Sequence, residues 1–223
     1  MKHATNQLTS YILFMSIAIS VFSCKKHNPD EVAIGEAKMK VVNAVQTEVN
    51  QDVYVDDTKL TTVALAFGET SNYIKIPSGN RSVSFKGSTN PTNAALNFTP
   101  SITYTTFLVS NRAGVREIVN YEDNLSNNEP TKAKIKLISL TSFFNTGINV
   151  SVQAGTQFVN NLAFKEASTY FTVEAGMNLR YTVVGSGIVK TLDGTNLEAG
   201  KIYTIWFSGT TSASLDAHII TDN

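Results

Sequence analysis

The chain has 223 residues and carries 18 basic and 18 acidic side chains, so its formal net charge at neutral pH is zero. A chain with this balance and no polybasic stretch is not expected to bind nucleic acid. Its one cysteine, Cys24, excludes an intrachain disulfide and a zinc site built from cysteines alone.

Residues 1–23 have the features of a secretory signal peptide. Lys2 and His3 precede a long uncharged stretch whose apolar residues are densest over Tyr11–Phe22. A membrane-spanning helix needs ~20 mostly apolar residues, and this segment reaches that length only when its polar residues are included. A cleaved signal peptide is therefore the favoured interpretation.

The sequence VFSC, residues 21–24, resembles the lipobox of bacterial lipoproteins, in which the cysteine is diacylated before the signal peptide is removed. Phe22 is bulkier than the usual residue there, although lipoproteins of the Bacteroidetes group often have such a junction. The pattern predicts lipidation of Cys24 and, through it, attachment to the bacterial outer membrane, facing the periplasm or exposed at the cell surface. An uncleaved membrane anchor and a free thiol are the alternatives.

The rest of the chain contains an internal duplication. "AKMKVV" at 37–42 corresponds to "AKIKLI" at 133–138, and "LAFGETSNYIKIPSG" at 65–79 corresponds to "LAFKEASTYFTVEAG" at 162–176. A match of "DVYV" at 52–55 with "NVSV" at 149–152 lies between these two, a match of "YTTFLVS" from Tyr104 with "YTIWFSG" from Tyr203 follows them, and the offset drifts only from 96 to 99 residues. Such spacing predicts two copies of one domain in tandem.

The duplication and the polar stretches around it define the predicted domain organisation. A polar tether follows the signal peptide, and an Asn-rich stretch that contains Pro130 has linker composition. The predicted segments are the signal peptide (1–23), the tether (24–36), the first repeat (37–120), the linker (121–132) and the second repeat (133–223).

Within each repeat the apolar residues alternate with polar ones. Met39 and Val41, for example, alternate with Lys38 and Lys40, and turn sequences recur every eight to twelve residues. This period of two is typical of half-buried strands. The sequence therefore predicts an all-β protein with two tandem antiparallel β-sandwich domains, immunoglobulin-like or transthyretin-like.

The strand-forming motifs also resemble a known family. "AKMKVVNAV", the hairpin "DVYVDD", the block "LAFGETSNYIKIPSG" and the late "YTTF" are similar to the motifs of the bacterial domain of unknown function 4397 family. The second repeat is a more diverged match, since Ser139-Leu140 replaces Asn43-Ala44. The resemblance implies a secreted, often lipid-anchored envelope protein, and it implies no reaction.

The sequence offers few candidates for catalysis or metal binding. Asp216 and His218 lie two residues apart on a predicted strand, but no nucleophile motif accompanies them. Asp52, Asp56 and Asp57 carry carboxylates that calcium prefers, yet they fall in a hairpin turn, where their oxygens rarely converge on one ion. No catalytic residue, metal ligand or cofactor is therefore predicted.

Residues that differ between the repeats are better candidates for a function than residues that both repeats share. Trp206 corresponds to Phe107, so it is predicted to pack in the core or on a sheet face rather than to bind sugar. The adjacent Phe143 and Phe144 have no aromatic counterpart in the first repeat, which has "AVQTEVN" in the corresponding stretch. Interdomain packing, binding of a partner or glycan, and ordinary core packing are the three interpretations of this pair.

Together these features predict a non-catalytic, lipid-anchored envelope protein that acts in binding, adhesion or assembly. Its expected partners are the membrane, through Cys24, and an envelope protein or a polysaccharide. An accessory glycan-capture lipoprotein of a polysaccharide uptake system is the alternative, and a hydrolase ranks behind both because no set of polar residues meets the requirements of an active site.

Overall fold

The computed structural model describes residues 35–46, 49–87 and 90–223. These residues form β-strands and one 3-10 helix, Gly194–Asn196. The strands are β1 (Glu36–Asn43), β2 (Asp52–Val55), β3 (Thr58–Lys59), β4 (Ile74–Pro77), β5 (Gly79–Lys86), β6 (Thr92–Phe98), β7 (Thr103–Ser110), β8 (Arg116–Asp123), β9 (Lys132–Ser139), β10 (Ile148–Val152), β11 (Gln157–Leu162), β12 (Phe171–Glu174), β13 (Leu179–Val183), β14 (Val189–Leu192), β15 (Ile202–Ser208) and β16 (Asp216–Thr221).

The strands form two sandwich-like domains, which we call the first sandwich (β1–β8) and the second sandwich (β9–β16). The first contains the sheets β4-β1-β7-β8 and β3-β2-β5-β6, and the second contains β12-β9-β15-β16 and β11-β10-β13-β14. The strand order of each sheet in the first sandwich recurs strand for strand in the second. The all-β, two-sandwich prediction is confirmed.

One strand pair in each sandwich runs parallel, although the other pairings are antiparallel. Strand β1 pairs in parallel with β7, and β9 pairs in parallel with β15. Parallel neighbours need a long crossover connection, and here the chain passes through the opposite sheet between the two strands. As a result the C-terminal ends of β1 and β7 lie side by side at one end of their sheet, and so do those of β9 and β15.

Each sandwich buries its own hydrophobic core between its two sheets. Met39, Val53 and Phe85 lie in the core of the first sandwich, and Ile135 and Tyr181 lie in that of the second. The alternation of apolar residues along the strands explains this arrangement, because side chains of one strand face point toward the opposite sheet.

A third buried cluster joins the two sandwiches. Val42, Phe107 and Val109 of the first sandwich pack with residues of the second, including Ile138 and Trp206. Val42 follows Val41, which faces the inner core, so the cluster lies on the outer face of sheet β4-β1-β7-β8. The outer faces of this sheet and of β12-β9-β15-β16 therefore pack against each other.

In the described residues, no helix has the length and apolar character that crossing a membrane requires.

Candidate binding cleft

Two ion pairs join the sandwiches reciprocally. Lys40 Nζ of the first sandwich lies 2.9 Å from Asp222 Oδ1 of the second, and Lys136 Nζ of the second lies 2.5 Å from Asp123 Oδ1 of the first. All four side chains are at most 5% exposed. Each sandwich thus supplies one lysine and one aspartate, and each lysine pairs with the aspartate of the other sandwich. This is the pattern of an isologous, twofold-like interface.

Hydroxyl groups complete the hydrogen bonding of both buried carboxylates. Thr204 Oγ1 donates to Asp222 Oδ2 at 2.7 Å, and Thr105 Oγ1 donates to Asp123 Oδ2 at the same distance. The Tyr73 hydroxyl also donates to Asp123 Oδ2, at 2.8 Å. Burial raises the pKa of Asp222, and the positive charge of Lys40 opposes that rise. Because buried charges are tolerated only with partners of this kind, the network fixes how the sandwiches dock.

An aromatic group packs beside this network. Trp206 is fully buried, and its ring stacks on His218 with 3.9 Å between the ring centroids. Phe67 and Phe107 of the first sandwich meet Trp206 edge to face at 5.9 and 6.1 Å. The prediction that Trp206 packs on a sheet face is thus confirmed, and the tryptophan is inaccessible to a sugar.

His218 contacts a serine that the sequence did not single out. Its Nε2 lies 2.8 Å from Ser208 Oγ on the neighbouring strand β15. Burial lowers the pKa of His218, and the negative charge of Asp216 works in the opposite direction. In the described structure the Asp216 carboxylate accepts a hydrogen bond from the Ala217 amide and makes none with His218. The arrangement is a serine–histidine pair without an orienting carboxylate.

A cleft lies at the edge where β1, β7, β9 and β15 all end. Its volume is about 180 Å³. The segments that follow these four strands form most of its wall, so both sandwiches contribute. The lining residues are Ala44, Val45, Gln46, Phe67, Ser110, Asn111, Arg112, Gly114, Leu140, Thr141, Ser142, Phe143, Ser208, Gly209 and Thr210.

The two predicted aromatic residues lie in different environments. Phe143 lines the cleft and is 41% exposed. Phe144 is partly buried and packs against the core of the second sandwich. The two rings of this loop thus point in different directions, that of Phe143 to the surface and that of Phe144 to the core.

Hydrogen bonds across the interface hold the wall of the cleft. The Arg112 guanidinium of the first sandwich donates through Nη2 to the Phe143 carbonyl and through Nη1 to Asn145 Oδ1 at 3.2 Å. Ser142 Oγ of the second sandwich donates to the Ser110 carbonyl at 3.2 Å. Sequence reasoning missed Arg112, because a single arginine in a turn carries no recognisable motif.

The three aspartates of the β2–β3 hairpin do not converge. Asp52 pairs with Lys59 at 2.9 Å, Asp56 pairs with Arg81 at 3.2 Å, and Asp57 lies near Lys86. Asp56 and Asp57 both have positive φ angles, 47° and 63°, as the two central residues of a type I′ hairpin turn do. Among the described residues, no cluster of three or more His, Cys, Asp or Glu side chains is arranged to hold a metal ion. Cys24 lies outside the described residues.

A segment of the chain that includes most of the first sandwich matches a family model. Residues 37–146 match the family described as Domain of unknown function (DUF4397). The predicted resemblance is confirmed for this segment. The DUF4397 match takes in the first sandwich and strand β9 of the second, and it reaches Phe143 in the cleft.

Similarity to other known proteins is weak. No curated protein matches the chain. Among solved structures, the chain is similar to the crystal structure of CBMbc (family CBM26) from Eubacterium rectale Amy13K in complex with maltoheptaose. The sequence identity is 12%, the TM-score is 0.28, and the match covers 84% of this chain and 97% of that one. At this TM-score the similarity carries no argument about the fold or the ligand of the present chain.

Proposed function

We propose that the protein is a non-catalytic, lipid-anchored binding protein of the bacterial outer membrane and that it binds its partner in the cleft between the sandwiches. One observation carries this proposal. The buried ion pairs and the aromatic group fix the docking of the two sandwiches, so the four segments that line the cleft are held by rigid strands. A site on such a scaffold loses little entropy when it binds a ligand.

The residues that line the cleft also break the symmetry of the duplication. By the offset of 99 residues, Arg112 corresponds to Thr211, and by the offset of 96, Phe143 corresponds to Thr47. A twofold-like interface would present the same groups from both sides. The large unshared side chains give the cleft one guanidinium and one exposed aromatic ring instead, and this asymmetry suits an asymmetric ligand.

The anchor follows from the N-terminal sequence. Lipidation of Cys24 and the polar tether 24–36 would hold the sandwiches near the membrane and leave the cleft free to meet a partner in the periplasm or at the cell surface. The partner would be an envelope protein or a polysaccharide. Polysaccharide capture is the second candidate function, and the half-exposed ring of Phe143 among amide and hydroxyl side chains favours it.

Among the candidate functions, hydrolysis has the weakest support. Ser208 lines the cleft and contacts His218, so a nucleophile and a neutral base are adjacent. However, a serine nucleophile also needs an oriented base and a stabilised oxyanion, and the described Asp216 makes no hydrogen bond with His218. We expect the joint replacement of Asp216 and His218 to change no ester- or glycoside-cleaving activity.

The test is capture from envelope material. Purified protein would be immobilised and exposed to envelope extract and to a panel of polysaccharides. The variant Phe143→Ser would be compared with Val189→Ser, since Val189 is 46% exposed but lies outside the cleft. We expect Phe143→Ser to lose a partner that wild type and Val189→Ser retain. Equal capture by all three proteins would refute the cleft as the binding site.

A further inference from the structure

The described lining of the cleft carries a positive charge. Arg112 is the only charged residue among the described residues that line it, and none of those residues carries a carboxylate. An arginine stays protonated at any physiological pH. The electrostatic potential in the cleft therefore favours an anionic group over a neutral or cationic one.

The guanidinium of Arg112 is held in a defined position. Its hydrogen bonds to the Phe143 carbonyl and to Asn145 Oδ1 tie it to the second sandwich. Each of these bonds uses one hydrogen of a terminal nitrogen, and each terminal nitrogen carries two. The planar group is thus fixed by the protein and retains donors that could bind a carboxylate or a phosphate.

The remainder of the wall is suited to a polyhydroxylated ring. Gln46, Asn111 and Thr210 bring amide and hydroxyl groups to the cleft. These groups both donate and accept hydrogen bonds, as sugar hydroxyls do. The half-exposed ring of Phe143 offers an apolar face on which the C–H face of a sugar could rest.

The size of the cleft limits the ligand. Sites for drug-sized ligands have volumes of ~300–1,000 Å³, whereas this cleft measures about 180 Å³. It can hold a single ring but not an extended oligosaccharide. A polysaccharide would therefore insert one residue, such as its terminal or branching unit.

We propose that the cleft binds one anionic sugar residue, with Arg112 on the acidic group and Phe143 against the ring. This inference rests on the proposed function and names the ligand class of the same site. The acidic group is a carboxylate, as in a uronic acid, or a phosphate, since arginine recognises both. Removing the acidic group from the sugar is expected to weaken binding by about tenfold or more, because hydrogen bonds between charged groups are stronger than those between neutral groups.

The experiment measures binding of small probes to the whole protein in detergent by ligand-observed NMR. Glucuronic acid and glucose 6-phosphate represent the two sources of the acidic group, and glucose is the neutral reference. Arg112→Gln removes the charge but keeps a hydrogen-bonding side chain. Lys75→Gln makes the same charge change at an exposed lysine outside the cleft.

We expect wild type and Lys75→Gln to bind at least one acidic probe about tenfold tighter than glucose and Arg112→Gln to lose this preference. Phe143→Ser should weaken the binding of acidic and neutral probes alike. Equal binding of acidic and neutral probes by wild type, binding of no probe, or an Arg112→Gln variant that keeps the preference would overturn the inference. Capture of an envelope partner that depends on Phe143 but not on Arg112 would leave the proposed function standing and refute only the anionic ligand.

Discussion

Lys40 of the first sandwich and Asp222 of the second form a buried ion pair at 2.9 Å. The pair of Lys136 and Asp123 reproduces it with the sandwiches exchanged. The two halves of this chain thus meet as the two subunits of a symmetric dimer do. The centre of the interface is thus alike on both sides, whereas the loops at its rim carry side chains, such as Arg112 and Phe143, that differ between the halves.

Replacing Asp222 by Asn should destabilise the whole protein strongly. The Lys40 ammonium would keep its hydrogen bond to the Thr221 carbonyl but lose its buried counter-charge. Removing one partner of a buried pair costs ~3–5 kcal/mol. Urea unfolding at pH 7 measures this loss of unfolding free energy. Asp216→Asn, at the exposed start of β16, whose last residue precedes Asp222, is the control and should cost no more than ~0.5 kcal/mol. Equal stabilities of the two variants would contradict the role given to the ion pair.

The buried lysines show what strand patterns can and cannot predict. Alternation correctly places Met39 and Val41 in the core of the first sandwich. It does not reveal that Lys40, on the other face of the strand, is buried as well, because the second sandwich covers that face. A period of two identifies the two faces of a strand but not what packs on each. A sharper signal was present, since Lys40 recurs as Lys136 and Asp123 as Asp222 at the offsets of the duplication.

The cleft was predictable only in part. Phe143 could be singled out because the duplication shows that it is unshared. Arg112 could not, because its role depends on the parallel pairing of β1 with β7 and of β9 with β15. That pairing brings four strand ends to one edge, and it is a long-range feature that no local sequence pattern encodes.

The separated halves should fold and then associate. Each has its own core, so residues 35–123 and 131–223 should each give β-type circular dichroism and a cooperative melting transition. Separation exposes an apolar sheet face around Phe107 or Trp206. Trp206 is the only tryptophan, so its emission should shift to the red in the isolated second half and return to the blue when the first half is added. Unfolded halves, or an emission spectrum that the first half leaves unchanged, would contradict this.

Acidification should weaken the fold through His218. Burial lowers the pKa of His218 below its ordinary 6.5. As the pH falls, the histidine is therefore protonated in the unfolded chain before it is protonated in the folded protein. The stability that the neutral ring contributes is complete above pH 6.5 and is lost as the pH falls toward and through the folded-state pKa. The unfolding free energy of wild type should fall between pH 7.5 and 5.5. That of His218→Gln should fall less, since the glutamine does not titrate. Parallel pH profiles of the two proteins would show that the decline has another origin.

Cys24→Ser should remove the protein from membranes. Diacylation and N-acylation give two or three chains, which suffice for stable attachment, whereas one chain is marginal. Without the thiol, the protein should be released or remain unprocessed, as membrane fractionation and mass spectrometry would show. A Cys24→Ser protein of mature size that sediments with membranes as wild type does would refute the lipid anchor.

Single substitutions of the two adjacent phenylalanines should have different effects, one on stability and the other on binding. Phe144 packs against the core of the second sandwich, so Phe144→Ser removes buried apolar surface and leaves a cavity, at a cost of ~2–4 kcal/mol. Phe143 is 41% exposed in the cleft, so Phe143→Ser should change the unfolding free energy by less than ~1 kcal/mol. Urea unfolding of the two single variants gives both values, and the capture assay gives the effect on binding. If Phe143→Ser destabilises the protein as much as Phe144→Ser does, Phe143 is a packing residue and the cleft loses its aromatic contact.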